Sequence, residues 1–217
     1  GITLKDHPGH ATPIIAGNVS FYNESKNGAI PPSPIISCLG KIKNVNKSIP
    51  AYFQKSESII VMIGERKNEL GGSIYYSIFN ELGANIPKPD LEIVKNEIFA
   101  LTDAIDNELV LSCHDISDGG LASAISEMTF KNDIGCQVKI DNDLSDDALL
   151  FSETGGFILE IDKRNIETVT SIFSKYGINI LNIGKTSGNS IIINNQIDLL
   201  ISEAKQAWEN GLRDKLR

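Results

Sequence analysis

Ser112-Cys113-His114-Asp115-Ile116-Ser117-Asp118-Gly119-Gly120-Leu121-Ala122 carries the chain from a short apolar strand, expected over 109–113, into a helix expected over 121–130. A doubled glycine at such a joint opens a helix whose first amides are unpaired, and the helix dipole makes that end favourable to an anion. Ser117 and Asp118 are residue types that cap this position, and Asp115 and Asp118 add two carboxylates suited to Mg²⁺ held between protein and phosphate. The plainer reading has His114 packed and locally bonded while Asp118 only caps. Spacing alone leaves both open.

Around this joint, strands and helices alternate. Residues 58–64 hold an unbroken apolar run (Ile59, Ile60, Val61, Met62, Ile63), the mark of a buried strand. Gly71-Gly72 precedes a helix expected over 73–82, with Ile74, Ile78 and Leu82 on one side. Pro89 opens a longer one, in which Leu91, Val94, Ile98, Leu101 and Ile105 keep helical spacing. Further strands are expected at 136–140, 156–161, 178–183 and 190–194. A helix over 165–176 is stopped by Gly177, and another over 201–216 places Ala204, Ala207, Trp208 and Leu212 on one face. This order predicts an α+β or α/β sandwich, a mixed sheet with helices packed on it, over 51–217.

Residues 1–50 differ. Strands at 12–16 and 20–22 bracket a Gly17-Asn18 corner, 23–29 is a turn cluster, Pro31-Pro32-Ser33-Pro34 is an extended lead-in, and 35–42 reads as another strand. With no helix to cover it, this region reads as the last strands of a truncated domain, whose open edges are an association hazard. Residues 1–11 read as a trimmed end or an appended remnant. His7 and His10 do not suggest a metal pair, since Pro8 and Gly9 interrupt any helix between them.

The corner itself has chemistry. Gly17 lets backbone approach a ligand closely, and Asn18, Ser20, Tyr22, Asn23 and Glu24 follow with amide, hydroxyl and carboxylate oxygens. Those groups suit a phosphate and its Mg²⁺, although an ordinary strand and turn has the same composition. Two more glycine loops, Gly64-Glu65 through Glu69-Leu70-Gly71-Gly72 and Phe151-Ser152-Glu153-Thr154-Gly155-Gly156, are weak pocket-lining patterns. No Walker-type phosphate loop occurs. His114 is the one histidine inside the folded region, so a Ser-His or Cys-His nucleophile is not expected.

Composition narrows the classes. The 217 residues carry a net charge of −8, which argues against non-specific binding to nucleic acid or anionic membrane. No run reaches the length of a membrane span, and no signal peptide is seen. Cys38, Cys113 and Cys136 are odd in number and widely spaced without a CxxC pair, which fits buried free thiols in a reducing cytoplasm.

The ordered set TPIIAGNVSFYNES, IPPSPIISCLG, IGERKNELGGSIY, SCHDISDGGLASAISEM and LLFSETGGFILEI resembles the C-terminal part of the phosphoribosylformylglycinamidine synthase family, in its smaller synthetase-subunit form. HDISDGGLA is shared with a superfamily that includes aminoimidazole ribonucleotide synthetase, selenophosphate synthase and a hydrogenase-maturation protein. GNVSFYNE and ELGGSIY select the amidotransferase. The resemblance, over residue 12 to the end, implies an aminoimidazole ribonucleotide synthetase-like C-terminal domain, preceded by the tail of the N-terminal-type domain in the second of two tandem copies.

It further implies an ATP-dependent carbon–nitrogen ligase of de novo purine biosynthesis, in which the formyl amide oxygen is phosphorylated and ammonia displaces phosphate. The ammonia would come from a separate glutaminase subunit, with a small third subunit assisting assembly. By motif, Gly17 would contact ATP, Asn18 would ligate Mg²⁺ and Ser20 would contact the ribonucleotide substrate. No catalytic residue is assigned, because the family's catalytic histidine lies in the first copy. The missing N-terminal half would then be a partner of this chain, which would be inactive alone. The stretch before residue 12 departs from the helix expected upstream. Within the resemblance Asp118 would support a structural or auxiliary nucleotide site. Two alternatives are a non-catalytic module whose loops hold a structural nucleotide or a partner subunit, and a sister enzyme of the superfamily.

Overall fold

The structure, a computed structural model, describes residues 3–4, 7–18, 23–30 and 34–215. The chain divides into two compact units, Gly1–Asn46 and Lys47–Arg217.

The first unit holds two short antiparallel pairs. Strand β1 (Thr3–Leu4) pairs with β2 (His7–Ala11), and β3 (Glu24–Ser25) pairs with β4 (Gly28–Ala29). The second pair closes the turn cluster expected at 23–29. The Asn27 amide donates to Ser25 Oγ at 3.1 Å, and that hydroxyl donates to the Gly28 carbonyl at 3.3 Å. The strands expected at 12–16 and 35–42 are not formed. Ile14, Ile15, Ile35, Ile36 and Leu39 are each more than 80% exposed (94, 82, 93, 88 and 91%). An apolar run becomes a strand only when a neighbour takes its amides and carbonyls and something covers its apolar face. Among the described residues nothing does both. The strand expected at 20–22 lies outside the described residues.

In the second unit β5 (Ile59–Ile63), β6 (Ser112–Asp115), β7 (Cys136–Val138), β8 (Phe157–Ile161), β9 (Leu181–Thr186), β10 (Ser190–Ile193) and β11 (Ile197–Leu200) form one sheet in the order β11-β10-β7-β9-β5-β8-β6. Only β10 and β7 run parallel; every other neighbouring pair is antiparallel. The helices are α1 (Ile74–Ile78), α2 (Leu91–Asp106), α3 (Gly120–Thr129), α4 (Asp146–Phe151), α5 (Ile166–Lys175) and α6 (Ile201–Lys215). Helices α3 and α4 cover one face of the sheet and α2 and α5 the other, which explains the unbroken apolar run of β5. Ile60 and Met62 enter one core with Leu121, Ile125 and Met128 of α3 and Leu149 and Leu150 of α4. Val61 and Ile63 enter the other with Ala100 and Ala104 of α2 and Val169 and Phe173 of α5. The sheet with packed helices is the architecture expected from the alternation.

Glu160 of β8 is fully buried, and its carboxylate is held by donors from two directions. Its Oε2 accepts from the Gln54 amide at 2.7 Å and from Ser112 Oγ at 2.8 Å, and its Oε1 accepts from the Lys55 amide at 2.9 Å. A buried carboxylate is tolerable only with its lone pairs filled in this way. The arrangement ties the segment before β5 to the sheet.

Several local expectations shift. Helix α1 ends at Ile78 because Asn80 takes a left-handed φ of 56°, and Ile74, Ile78 and Leu82 are exposed rather than packed. Helix α2 is rotated, burying Glu97, Ala100, Leu101 and Ala104 while Leu91 is exposed. Strands β6 and β9 begin three residues later than expected (Ser112 and Leu181). On α6, Ile201 is buried but Trp208 is exposed, lying against Phe130 with ring centroids 5.7 Å apart. Helix α4 and strand β11 were not expected. A sequence signal for α4 exists, since Ser145 sits at its N-cap position and Asp146 and Asp147 in its first turn.

Two measurements check this arrangement. Gly156 has φ +110°, and a Cβ there would lie 2.3 Å from the Ile63 carbonyl oxygen, whereas Gly155, at φ +95°, faces open space. Gly156→Ala is expected to cost about 3 kcal/mol or more and Gly155→Ala about 1 kcal/mol, read by urea unfolding. Among the cysteines, Cys38 is exposed, a correction to the expectation of three buried thiols. Burial pushes the thiols of Cys113, with help from Asp115, and of Cys136 up to about 12. In the native protein, Ellman titration at pH 8 is expected to show one fast thiol and two slower by at least about 100-fold, because the thiolate is the reacting species.

Candidate functional site

The register of three strands gathers the second unit's glycine motifs. Ile63, at the end of β5, pairs with Phe157, at the start of β8, and Phe157 pairs in turn with Asp115, at the end of β6. The segments that follow β5, follow β6 and precede β8 therefore leave the sheet at one end. Backbones there come very close: a Cβ on Gly64 would lie 2.9 Å from Gly156 Cα. The Ile116 amide donates to the Gly156 carbonyl at 2.9 Å. Gly120 likewise lies against the backbone of Leu150 and Phe151, within 2.8 Å of a Cβ built on it.

Glu153 joins these segments. Its Oε1 accepts from the Gly119 amide at 2.8 Å and from the Ile74 amide at 2.9 Å. Gly119 itself occupies the N-cap position of α3 with φ 77°, and no side chain caps that position from within the turn. This corrects the expectation that Asp118 or Ser117 caps α3: both are exposed, and the amide is taken by a carboxylate from another segment. Phe151 extends the contact, its ring stacked on Tyr75 at 4.6 Å and 3°.

Arg66 holds the same segment from the other side. Its Nη1 donates to the Gly155 carbonyl at 2.8 Å, and its Nη2 to the Ser152 carbonyl. Burial pulls this guanidinium down to about 10, opposed by the Glu69 carboxylate, so it stays charged at neutral pH. The Glu69 amide donates to Ser152 Oγ at 3.3 Å. Three buried polar atoms of this cluster have no hydrogen-bond partner among the described residues: Arg66 Nε, Glu69 Oε2 and Thr154 Oγ1. A donor, an acceptor and a hydroxyl of this kind are what a polar ligand or ordered water would satisfy. Neither Arg66 nor Glu69 stood out in the sequence as chemistry, although both sit inside one of its glycine loops.

The remaining sequence candidates fall as follows. His114 Nδ1 lies 2.7 Å from the Asp115 carbonyl oxygen and Nε2 lies 3.2 Å from Glu127 Oε2, which is the locally bonded reading. Asp115 and Asp118 are exposed. A cavity of about 390 Å³ beside α1 and α4 is lined by Tyr75, Leu150, Phe151, Asp146 and Asp147, and its two carboxylates have the wrong sign for phosphate. Gly17 and Asn18 are exposed in the first unit, while Ser20 lies outside the described residues. Asn18 presents an amide oxygen, an acceptable Mg²⁺ ligand where phosphate oxygens and water complete the set. Among the described residues no group of three His, Cys, Asp or Glu side chains would hold a metal, and no helix is long and apolar enough to cross a membrane.

Known proteins share both the sequence and the fold. PurL, the phosphoribosylformylglycinamidine synthase subunit of Methanothrix thermoacetophila, is 37% identical over 99% of this chain and 29% of its own length. The T. maritima PurL solved with FGAR superimposes with a TM-score of 0.62 at 15% identity, over 73% of this chain and 29% of that one. The T. maritima PurL solved with ATP gives 0.58 at 16% identity, over 73% and 27%. At such identities the structures speak for the fold. The chain spans less than a third of the length of these relatives. Residues 55–193 match the family described as AIR synthase related protein, C-terminal domain, and the chain belongs to that family.

Proposed function

We propose that this chain supplies the C-terminal part of an ATP-dependent ligase that converts formylglycinamide ribonucleotide to formylglycinamidine ribonucleotide in purine biosynthesis. One observation carries the reading: the 37% identity to a PurL subunit, sustained over 99% of the chain. The ordered motifs support it, because GNVSFYNE and ELGGSIY both fall inside that span. In the T. maritima relatives, ATP and FGAR are the bound molecules.

In this reading the formyl amide oxygen attacks the γ-phosphorus of ATP and ADP leaves. Ammonia then adds to the activated carbon and phosphate departs with the oxygen. The chain's own contribution is at the first-unit corner. Gly17, lacking a Cβ, lets backbone approach the nucleotide, Asn18 offers its amide oxygen to Mg²⁺, and Ser20 offers a hydroxyl to the ribonucleotide. When bound, Mg²⁺ supplies neutralisation of the charge that builds on the phosphate oxygens. The first unit is then the end of an N-terminal-type synthetase domain and the second a C-terminal-type domain. The rest of the site, including any catalytic residue, lies elsewhere in the longer polypeptide. A glutaminase subunit as ammonia source, a small assembly subunit and a cytoplasmic setting complete the proposal.

The test uses the intact polypeptide. Asn18→Ala is expected to slow ATP- and ammonia-dependent phosphate release by at least about 10-fold, the scale on which even outer partners of a bound metal act, with little change in thermal midpoint. Unchanged turnover would remove Asn18 from the site. An intact protein that releases no phosphate with ATP, ammonia and the formyl substrate would overturn the reading itself.

A further inference from the structure

One carboxylate oxygen serves two separate motifs. Glu153 Oε1 accepts the Ile74 amide at 2.9 Å, the first residue of α1, and the Gly119 amide at 2.8 Å, at the start of α3. The donors lie 79 and 34 residues away from it in sequence.

The lobe that carries Ile74 is closed on itself. The Gly71 amide donates to the Asn85 carbonyl at 2.9 Å and the Gly72 amide to the Leu82 carbonyl at 2.7 Å. Ser73 Oγ accepts the Tyr76 amide at 3.2 Å and donates to the Leu70 carbonyl at 2.7 Å. The lobe has its own internal bonds, so its attachment to the body depends on a few outward contacts. Tyr75 stacked on Phe151 and the Ile74 amide on Glu153 Oε1 are two of them, two residues apart on the same segment, beside the bond from the Asn85 side chain to the Asn68 carbonyl. The turn that carries Gly119 is fixed by the Ile116 amide on the Gly156 carbonyl, again beside Glu153.

The geometry points to Glu153 as a positioning residue, a latch that makes the 71–85 lobe and the 116–120 turn move as one body. A single acceptor shared at normal length by two donors ties both segments to one side chain, so loss of that carboxylate releases both at once. An external anion approaching the Gly119 amide must displace a carboxylate tethered to the same sheet. The inference does not rest on the proposed reaction.

Amide hydrogen exchange on the full chain tests it. In Glu153→Ala, exchange at Ile74 and Gly119 is expected to accelerate together by about tenfold, while Ile191 and Ile192 in β10 stay unchanged. Glu153→Gln keeps an acceptor oxygen and is expected to stay close to the parent. Acceleration at one amide alone, at neither, or equally in the Gln and Ala variants would overturn the latch. If the Ala variant does not fold, nuclear Overhauser peaks in the unaltered chain decide. Glu153 γ-protons close to both amide protons support the shared bond, and proximity to only one contradicts it.

Discussion

The antiparallel register of β5, β8 and β6 is the constraint on which the rest of the second unit depends. It sets Ile63, Phe157 and Asp115 side by side, so three segments remote in sequence leave the sheet at the same end. The close approach at that end requires glycine on both partners. Gly64 and Gly156 both have positive φ, and a Cβ on either would collide with the backbone of the other segment. Once the backbones are this close, short-range groups finish the assembly. Arg66 grips the carbonyls of Ser152 and Gly155, and Glu153 takes the amides of Ile74 and Gly119.

Packing explains why this register is unique. Side chains of β5 alternate between two cores, with Ile60 and Met62 on one side and Val61 and Ile63 on the other. A slip of β5 by one residue would exchange the two sets, and a slip of β8 by one residue would bring an apolar side chain, Leu159 or Ile161, to the position of Glu160. The amides of Gln54 and Lys55 and the Ser112 hydroxyl all donate to the carboxylate at the position of Glu160. A polar requirement inside an apolar sheet thus fixes the pairing as firmly as the cores do.

Much of this was legible in the sequence, and the misses have physical causes. The unbroken apolar run of β5, the Gly119-Gly120 pair and the stop at Gly177 are local signals, and β5, α3 and α5 stand where these place them. The strands expected at 12–16 and 35–42 rested on apolar composition alone, yet a strand is completed by neighbours that composition does not name. Helix α1 fell short because Asn80 adopts φ 56°, a choice set by the closed lobe rather than by its own neighbours. Glu153 read as part of a weak loop because both its partners are remote in sequence. His114 and Asp118 drew notice by residue type, and geometry gave His114 to Glu127 and left Asp118 outside. At the Gly17-Asn18 corner, residue types and motif order are what speak for ligand contact.

Glycine contact at the junction of β5 and β8 assembles the three motif segments at one sheet end. The most direct measurement is the nuclear Overhauser effect between the α-protons of Gly64 and Gly156 in the folded chain. A strong cross-peak, together with one linking Ile63 and Phe157 across the ladder, is the predicted result. A folded protein showing the Ile60–Glu160 ladder contact but no Gly64–Gly156 peak would contradict it, because the sheet would then form without bringing the segments together.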